Sequence, residues 1–357
     1  MGLKNMDMNY WSLKGFEPRQ IQIEIIDKVS KALDMGYENI ILEAGTGIGK
    51  SAIATTIANM VDDSYILTMT NQLQEQYLND FSYMLTEIKG KRNYACNFRG
   101  FCDDCYMENQ ISGSGKPLPK CEDCEYKLAV KEAQASKNVL TNYNYLWYSG
   151  NYAKQWNTRN LLILDEAHNF EKKIMSLVTK TLNRRTIYQE YHFDIFYPVV
   201  NEGKPLEFVK TPEYWQGILD KLIEREITWL ELTETYSAKQ KNTHENRLNR
   251  YQELYTELNK EDWIIETPKK YEITSDKTYK EKGKVRGLKV EFKPLMINEY
   301  SNDLLKFGSK RLFLTGTLGN KQRFCHWNGI DQDDTYYLYV KSPFLVEHRP
   351  ILKSYVR

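Results

Sequence analysis

No run of apolar residues in this sequence approaches the length of a transmembrane helix, and its N-terminus, MGLKNMDMNYW, lacks the apolar core of a signal peptide. Those absences point to a cytoplasmic protein with no membrane partner. Net charge is nearly absent too: 49 Lys and Arg stand against 48 Asp and Glu, giving +1 at neutral pH. So weak a field excludes recognition of a polyanion by bulk charge, and any nucleic-acid contact must rest on local basic patches. There is no internal repeat and no low-complexity tract. Hydrophobic residues at 41% and charged residues at 27% exclude a disordered chain. At 357 residues the chain is long enough for two or three domains and a sizeable core. Cysteine is sparse except in one place. Of the 6 cysteines, Cys325 stands alone and the rest fall between Cys96 and Cys124. In a reducing compartment such clustering favours metal over disulfides.

Apolar runs at 39–42, 65–68, 138–141 and 161–164 read as short buried strands. Helical patterns at 51–61 and 72–85 follow the first two, and strand character returns at 311–314. This rhythm predicts an α/β fold on a mostly parallel, doubly wound sheet. Two segments break it. Residues 96–124 are rich in Gly, Pro and Cys and poor in aliphatics. Residues 182–294 carry two apolar stripes at helical spacing, Trp215, Leu219, Leu222, Ile223 and Leu230, then Leu248, Tyr251, Leu254, Tyr255 and Leu258. Thr211 is placed to cap the first, with Pro212 at its first position. An antiparallel helix pair is expected, with strands at 270–274 and 288–292 after it.

Between the first strand and the first helix lies Ala44-Gly45-Thr46-Gly47-Ile48-Gly49-Lys50-Ser51. This fits the phosphate-loop pattern, with Ala44 at the usual first Gly. Glycines let backbone N–H groups converge on phosphates, and the helix N-terminus adds positive partial charge. Lys50 can reach the β- and γ-phosphates of ATP, and Ser51 can ligate Mg²⁺. A Gly-rich turn that binds nothing would not need the strand–loop–helix setting. The strand at 161–164 runs into Asp165-Glu166-Ala167-His168. Its acids fall at the sheet's carboxyl edge, beside the loop. Asp165 can hold Mg²⁺ through water, Glu166 can orient or deprotonate an attacking water, and His168 can couple the site to its surroundings.

The cysteines are spaced Cys96-x5-Cys102-x2-Cys105-x15-Cys121-x2-Cys124. Two CxxC pairs suit structural zinc, and four thiolates suit a 4Fe–4S cluster equally well. Spacing does not choose between them.

Taken in order, these features resemble the XPD/DinG-like superfamily 2 DNA helicases. Phe16-Glu-Pro-Arg-Gln-Ile-Gln22 resembles that family's adenine-side motif, with Arg19 and Gln22 in place. The phosphate loop follows, then Leu67-Thr-Met-Thr70 with Gln76. Gly90-Lys-Arg-Asn-Tyr-Ala-Cys96 resembles the lead-in to the first cluster cysteine. Cys124 resembles the last, although Glu125 stands where the family usually has Pro. Asn142-Tyr-Asn-Tyr-Leu146, the acidic box, Leu314-Thr-Gly-Thr-Leu318 and Ser342-Pro-Phe344 complete the series. The resemblance implies a RecA-like P-loop motor domain formed by residues 1–95, 125–181 and 295–357. It implies an iron–sulfur insert at 96–124 and a mainly helical, Arch-like insert at 182–294, the latter matched by position only. It turns the metal question toward 4Fe–4S, with Cys96, Cys102, Cys105 and Cys124 as ligands and Cys121 as the alternative.

The resemblance also implies a 5′→3′ helicase working on single-stranded DNA with ATP and Mg²⁺. In that family a second RecA-like domain brings arginines to the γ-phosphate through Gln-x-x-Gly-Arg-x-x-Arg. No such motif occurs before Arg357, so a separate chain carrying that domain is the expected partner. For DNA contact, Lys89, Lys91, Arg92 and Arg99 lie beside Tyr94, Phe98 and Phe101, cations for phosphates and aromatics for bases. A solvated charged face over a small core would look the same. Tyr143, Tyr145 and Trp147 read as core rather than as base platforms. The rival to a motor enzyme is a single-stranded DNA clamp, or a helicase fragment, with little or no ATPase activity. Intact Lys50 and Glu166 speak for the enzyme.

Overall fold

Strands covered on both faces need uninterrupted apolar runs. The residues from Asn39 to Leu42, from Ser64 to Thr68 and from Leu161 to Leu164 are accordingly all buried. The structure is a computed structural model that describes residues 11, 13–45, 47–96, 100–101, 124–193, 195, 210–233, 238–260, 263–267, 279–281, 284–286 and 289–342. The chain divides into one unit of Met1–Leu177 with Ile297–Arg357 and another of Val178–Met296.

The first unit runs α1 (Gln20–Asp34), β1 (Asn39–Ala44), α2 (Lys50–Met60), β2 (Ser64–Thr68), α3 (Asn71–Phe81), β3 (Thr86–Glu87), β4 (Ala95–Cys96), β5 (Gly100–Phe101), α4 (Glu125–Ala135), β6 (Asn138–Asn142), α5 (Tyr143–Asn151), β7 (Arg159–Leu164) and α6 (Phe170–Val178). Among the described residues, seven strands form one sheet in the order β14-β1-β13-β7-β2-β6-β3, where β13 is Gly308–Thr315 and β14 is Thr335–Val340. Every neighbouring pair in it is parallel. The α/β, RecA-like parallel sheet expected from the sequence is present.

Each face of the sheet has its own filling. Ile25, Ile26 and Val29 of α1 join Ile53 and Ile57 of α2 over Ile40, Leu42, Leu312 and Leu314. Elsewhere in the unit the packing is aromatic, with Phe170 edge-on to Phe313 at 6.1 Å and Phe313 edge-on to Phe324 at 5.6 Å. Tyr143, Tyr145 and Trp147 are buried, as their spacing implied. Packing is tight at Gly150 of α5, where an added Cβ would lie 2.3 Å from Phe307 Cζ. Gly150→Ala is therefore expected to cost about 1–3 kcal/mol and lower the thermal midpoint by a few degrees, read by calorimetry.

The second unit holds β8 (Lys180–Asn183), α7 (Arg184–Tyr191), α8 (Pro212–Leu232), α9 (Ala238–Leu258), β9 (Trp263–Glu266), β10 (Tyr279–Glu281), β11 (Lys284–Arg286) and β12 (Lys289–Pro294). The expected helix pair is there. Its antiparallel sense shows in Gln216 bonding Asn259 and in His244 meeting Glu226. Trp215, Leu219, Leu222, Tyr251, Leu254 and Leu258 line its core with Val290 and Phe292 of β12. Thr211 stands at the N-cap of α8, but its side chain makes no capping bond. Pro212, at the first helical position, leaves one fewer unpaired N–H at this helix start. The strand expected at 270–274 lies outside the described residues. After it the chain reaches α10 (Asn298–Leu305), β13, α11 (Lys321–Trp327) and β14.

Candidate nucleotide site and cysteine flanks

The loop between β1 and α2 is built from two left-handed glycines, Gly47 at φ +84° and Gly49 at φ +86°, on either side of fully buried Ile48. Only glycine adopts that backbone without strain. Two loop carbonyls turn toward α1. Arg19 donates to Gly47 O at 2.8 Å and to Ile48 O at 3.0 Å. Gln22 Nε2 donates to Ile48 O at 2.9 Å, while its own carbonyl oxygen accepts from Arg19 N at 2.9 Å. The sequence placed both residues on the adenine side; here they brace the loop itself. Lys50 opens α2, and its Nζ lies 3.4 Å from Ala44 O. Gly316, just past β13, leaves space beside this ammonium, since a Cβ there would be 3.7 Å from Lys50 Nζ. Gly45 packs against Ser342, whose Cβ would be 2.8 Å from an added Cβ. Thr46 lies outside the described residues.

The acidic pair follows β7, separated from β1 by β13 alone. Asp165 is held from four sides. Its N–H donates to Leu67 O at 2.9 Å, and its Oδ1 accepts from Glu166 N at 2.9 Å. Its Oδ2 accepts from Tyr77 at 3.2 Å, and its backbone oxygen accepts from Tyr143 at 3.0 Å. Burial, and then the charge of Glu166, push the Asp165 carboxyl up to about 6. A divalent cation at this carboxylate would offset both effects. Glu166 adopts a left-handed backbone, φ +51°. His168 Nδ1 lies 3.2 Å from Glu166 Oε2 and 3.3 Å from Thr315 Oγ1, and Thr315 Oγ1 in turn donates to Thr317 O at 3.0 Å. His168 thus joins Glu166 to the Thr-Gly-Thr turn after β13.

Tyr77 was not singled out from the sequence, and Thr315 entered only as part of the Leu314–Leu318 motif. The α3 stripe Gln74, Tyr77, Phe81 is buried and reads as plain core. The one available signal was a phenol where a phenyl ring would fill the space, because a buried hydroxyl needs a partner. In the same helix Gln76 is exposed, and the buried amide is Gln74.

Among the cysteine candidates, Cys96 and Cys124 are described; Cys102, Cys105 and Cys121 lie outside the described residues. Among the described residues no group of three His, Cys, Asp or Glu gathers as a metal site. The flanks of the segment nevertheless meet. Ala95 N donates to Glu125 Oε2 at 3.1 Å, and Tyr94 stacks edge-on against Tyr126 at 5.5 Å. Cys96 and Cys124 are thereby drawn to one place, with Cys124 buried at the N-cap of α4. Glu125, the departure from the family's Pro, makes this closure. Of the expected DNA contacts, Lys89 pairs with Glu87 at 3.0 Å and is little exposed. Lys91 sits over the Tyr126 ring at 5.6 Å. The side chains of Phe98, Arg99 and Phe101 lie outside the described residues.

With the phosphate loop after β1 and the acidic pair after β7, both at the carboxyl edge of one parallel sheet, the first unit falls among the RecA-like P-loop domains. Residues 15–238 match the family of the type III restriction enzyme res subunit, and the chain belongs to that family. Among solved structures, an XPD helicase shares the fold with a TM-score of 0.51 and 15% identity, over 91% of this chain and 62% of that one. The chain thus spans less than two thirds of that helicase. An XPD structure from S. tokodaii matches at TM-score 0.46 and 13% identity, over 90% of this chain and 61% of that chain. A truncated XPD matches at TM-score 0.48 and 16% identity, over 90% of this chain and 99% of that one. No curated protein matches the sequence. No helix of the described residues is long and apolar enough to cross a membrane.

Proposed function

We propose that this chain is the ATP-binding motor domain of an ATP-dependent DNA helicase, moving 5′→3′ on single-stranded DNA. The observation that carries this reading is the convergence of Lys50, Ser51, Asp165 and Glu166 at one sheet edge, with Glu166 tied through His168 to the turn after β13. Lys50 would hold the β- and γ-phosphates, and the amides from Gly45 to Ser51 would cradle them. Ser51, and Asp165 through water, would hold Mg²⁺, which when bound neutralises phosphate charge. Glu166 would orient the attacking water, and His168 would report its state to Thr315.

A second RecA-like domain, in the same protein or in a partner chain, would close the other wall of the pocket. The closed flanks of Cys96 and Cys124 support a 4Fe–4S cluster on Cys96, Cys102, Cys105 and Cys124, with Cys121 as the alternative fourth ligand. The helical unit Val178–Met296 would serve as the Arch-like insert. DNA would track across the cluster segment by Lys91 and Arg92, in the cytoplasm.

Strand separation tests the whole reading. With the second domain supplied, ATP should drive unwinding of a duplex with a 5′ single-stranded tail and leave a 3′-tailed duplex paired. DNA binding without ATP-dependent unwinding would favour the clamp. Within the loop, Gly49→Ala strains a left-handed backbone and drives a Cβ to 2.5 Å from Gln22 Nε2. It is expected to weaken ATP binding about tenfold or more in an equilibrium titration.

A further inference from the structure

The phosphate loop contains Gly45, Gly47 and Gly49, and only two of them answer to backbone geometry. Gly47 and Gly49 are left-handed. Gly45 is not, so its φ does not itself call for glycine. What forbids a side chain there is Ser342. A Cβ added to Gly45 would lie 2.8 Å from Ser342 Cβ, 3.2 Å from its Cα and 3.4 Å from its N. Non-bonded carbons settle at about 3.5–4.0 Å, so a side chain at position 45 would displace the backbone at 342 as well as its Cβ. The chain leaving β14 thus lies directly against the first peptide of the loop.

This contact stands just past a fixed boundary. β14 pairs with β1 along its whole length, with Glu43 opposite Tyr339 and Ala44 opposite Val340. Tyr337 reinforces the pairing by donating to Glu43 Oε2 at 2.5 Å. The ladder ends at Ala44 on one strand and at Val340 on the other, and Gly45 and Ser342 meet immediately beyond it. The same peptide also touches the phosphate-binding cation. Lys50 Nζ lies 3.4 Å from Ala44 O, the carbonyl joined to Gly45 N. A triphosphate that draws this ammonium and the loop amides forward therefore acts on the peptide that Ser342 abuts. With Ala44 and Val340 held by the ladder, the displacement passes to Ser342 rather than into β1.

We propose that Lys341–Ser342 is a strap seated on the phosphate loop, through which nucleotide occupancy and the path of the chain beyond β14 form one coupled equilibrium. This rests on the nucleotide reading above and adds to it a second exit from the site, at Gly45 on the β14 side, separate from the Glu166–His168–Thr315 link. The coupling is reciprocal: if ATP seats the strap, then displacing the strap weakens ATP.

Two measurements in the full chain test it. In Ser342→Cys, alkylation of residue 342 by N-ethylmaleimide is followed by peptide mass spectrometry with and without Mg-ATP. The rate should fall at least about fivefold, because a loop ordered on phosphates keeps the strap seated. Tyr339→Cys, on the paired but exposed part of β14, should react at one rate in both conditions. An unchanged or faster rate at 342, or an equal change at 339, would overturn the proposal. The second measurement needs no cysteine. Gly45→Ala should weaken ATP about tenfold in an equilibrium titration, and adding Ser342→Gly should bring the loss under about threefold, since the Cβ it meets is gone. A Ser342→Gly change that restores nothing would show that position 45 acts on ATP directly, and would overturn the proposal equally. A wild-type chain that binds no ATP would be a different result, since it removes the nucleotide reading itself.

Discussion

Lys50→Ala will remove ATP binding, whereas Glu166→Gln will leave binding nearly intact and stop hydrolysis. The two changes separate because they act on different parts of one pocket. Lys50 is the only cation described at the loop that points at the site, since Arg19 is already spent on the carbonyls of Gly47 and Ile48. Its ammonium would make charge-assisted bonds to two phosphates, together worth about 3 kcal/mol or more, which is over a hundredfold in Kd. Glu166, on the proposed reading, acts on the attacking water instead. Its carboxylate is held by His168, not by the loop. Replacing it with an amide keeps the shape and loses the base, a change on the order of 10²–10⁴-fold in rate. Calorimetry with ATP and a phosphate-release assay with the second domain present read the two effects. A Glu166→Gln variant that hydrolyses ATP at the wild-type rate would remove Glu166 from the mechanism. Lys50→Ala binding ATP normally would remove the phosphate loop.

How much of this was visible in the sequence depends on which forces left a pattern. A strand buried on both faces must be an unbroken apolar run, so β1, β2, β6 and β7 could be read within a residue or two. The phosphate loop was legible because left-handed backbone demands glycine at Gly47 and Gly49. β14 was not, since Thr335-Tyr-Tyr-Leu-Tyr-Val340 lies at the sheet edge with only Thr335 and Leu338 buried, and its tyrosines gave no clear period. Contacts between distant elements leave no local trace at all. Tyr77 looked like one more core aromatic, and the bond from Tyr337 to Glu43 at 2.5 Å joins residues far apart in the chain. Glu125 reads as a mismatch until its bond to Ala95 is seen. Its replacement of Pro then appears as a different way to close the same flank. The fold was legible because burial is periodic; the bracing of the site was not, because a hydrogen bond needs one partner in space and none in sequence.

The second large effect concerns the cysteines. Purified without oxygen, the chain is expected to be brown, with iron and sulfide at about four per chain. Cys124→Ser should lose the colour and the iron together. Cys124 is buried at the N-cap of α4, and a serine oxygen is a poor ligand for iron–sulfur chemistry. Cys96→Ser should behave alike, since the Ala95–Glu125 bond holds the two flanks against each other. Cys325 offers the internal comparison. It is fully buried in α11, where burial pushes its thiol up, so it is an inert core residue and Cys325→Ser should leave iron unchanged. Cys121→Ser decides the fourth ligand. Retained iron would support Cys96, Cys102, Cys105 and Cys124, and lost iron would put Cys121 in the set. Zinc at about one per chain with no iron would replace the cluster with a structural zinc site. That outcome would leave the nucleotide site untouched, because among the described residues the groups bracing Lys50 and Asp165 are Ala44, Leu67, Tyr77, Tyr143 and Glu166.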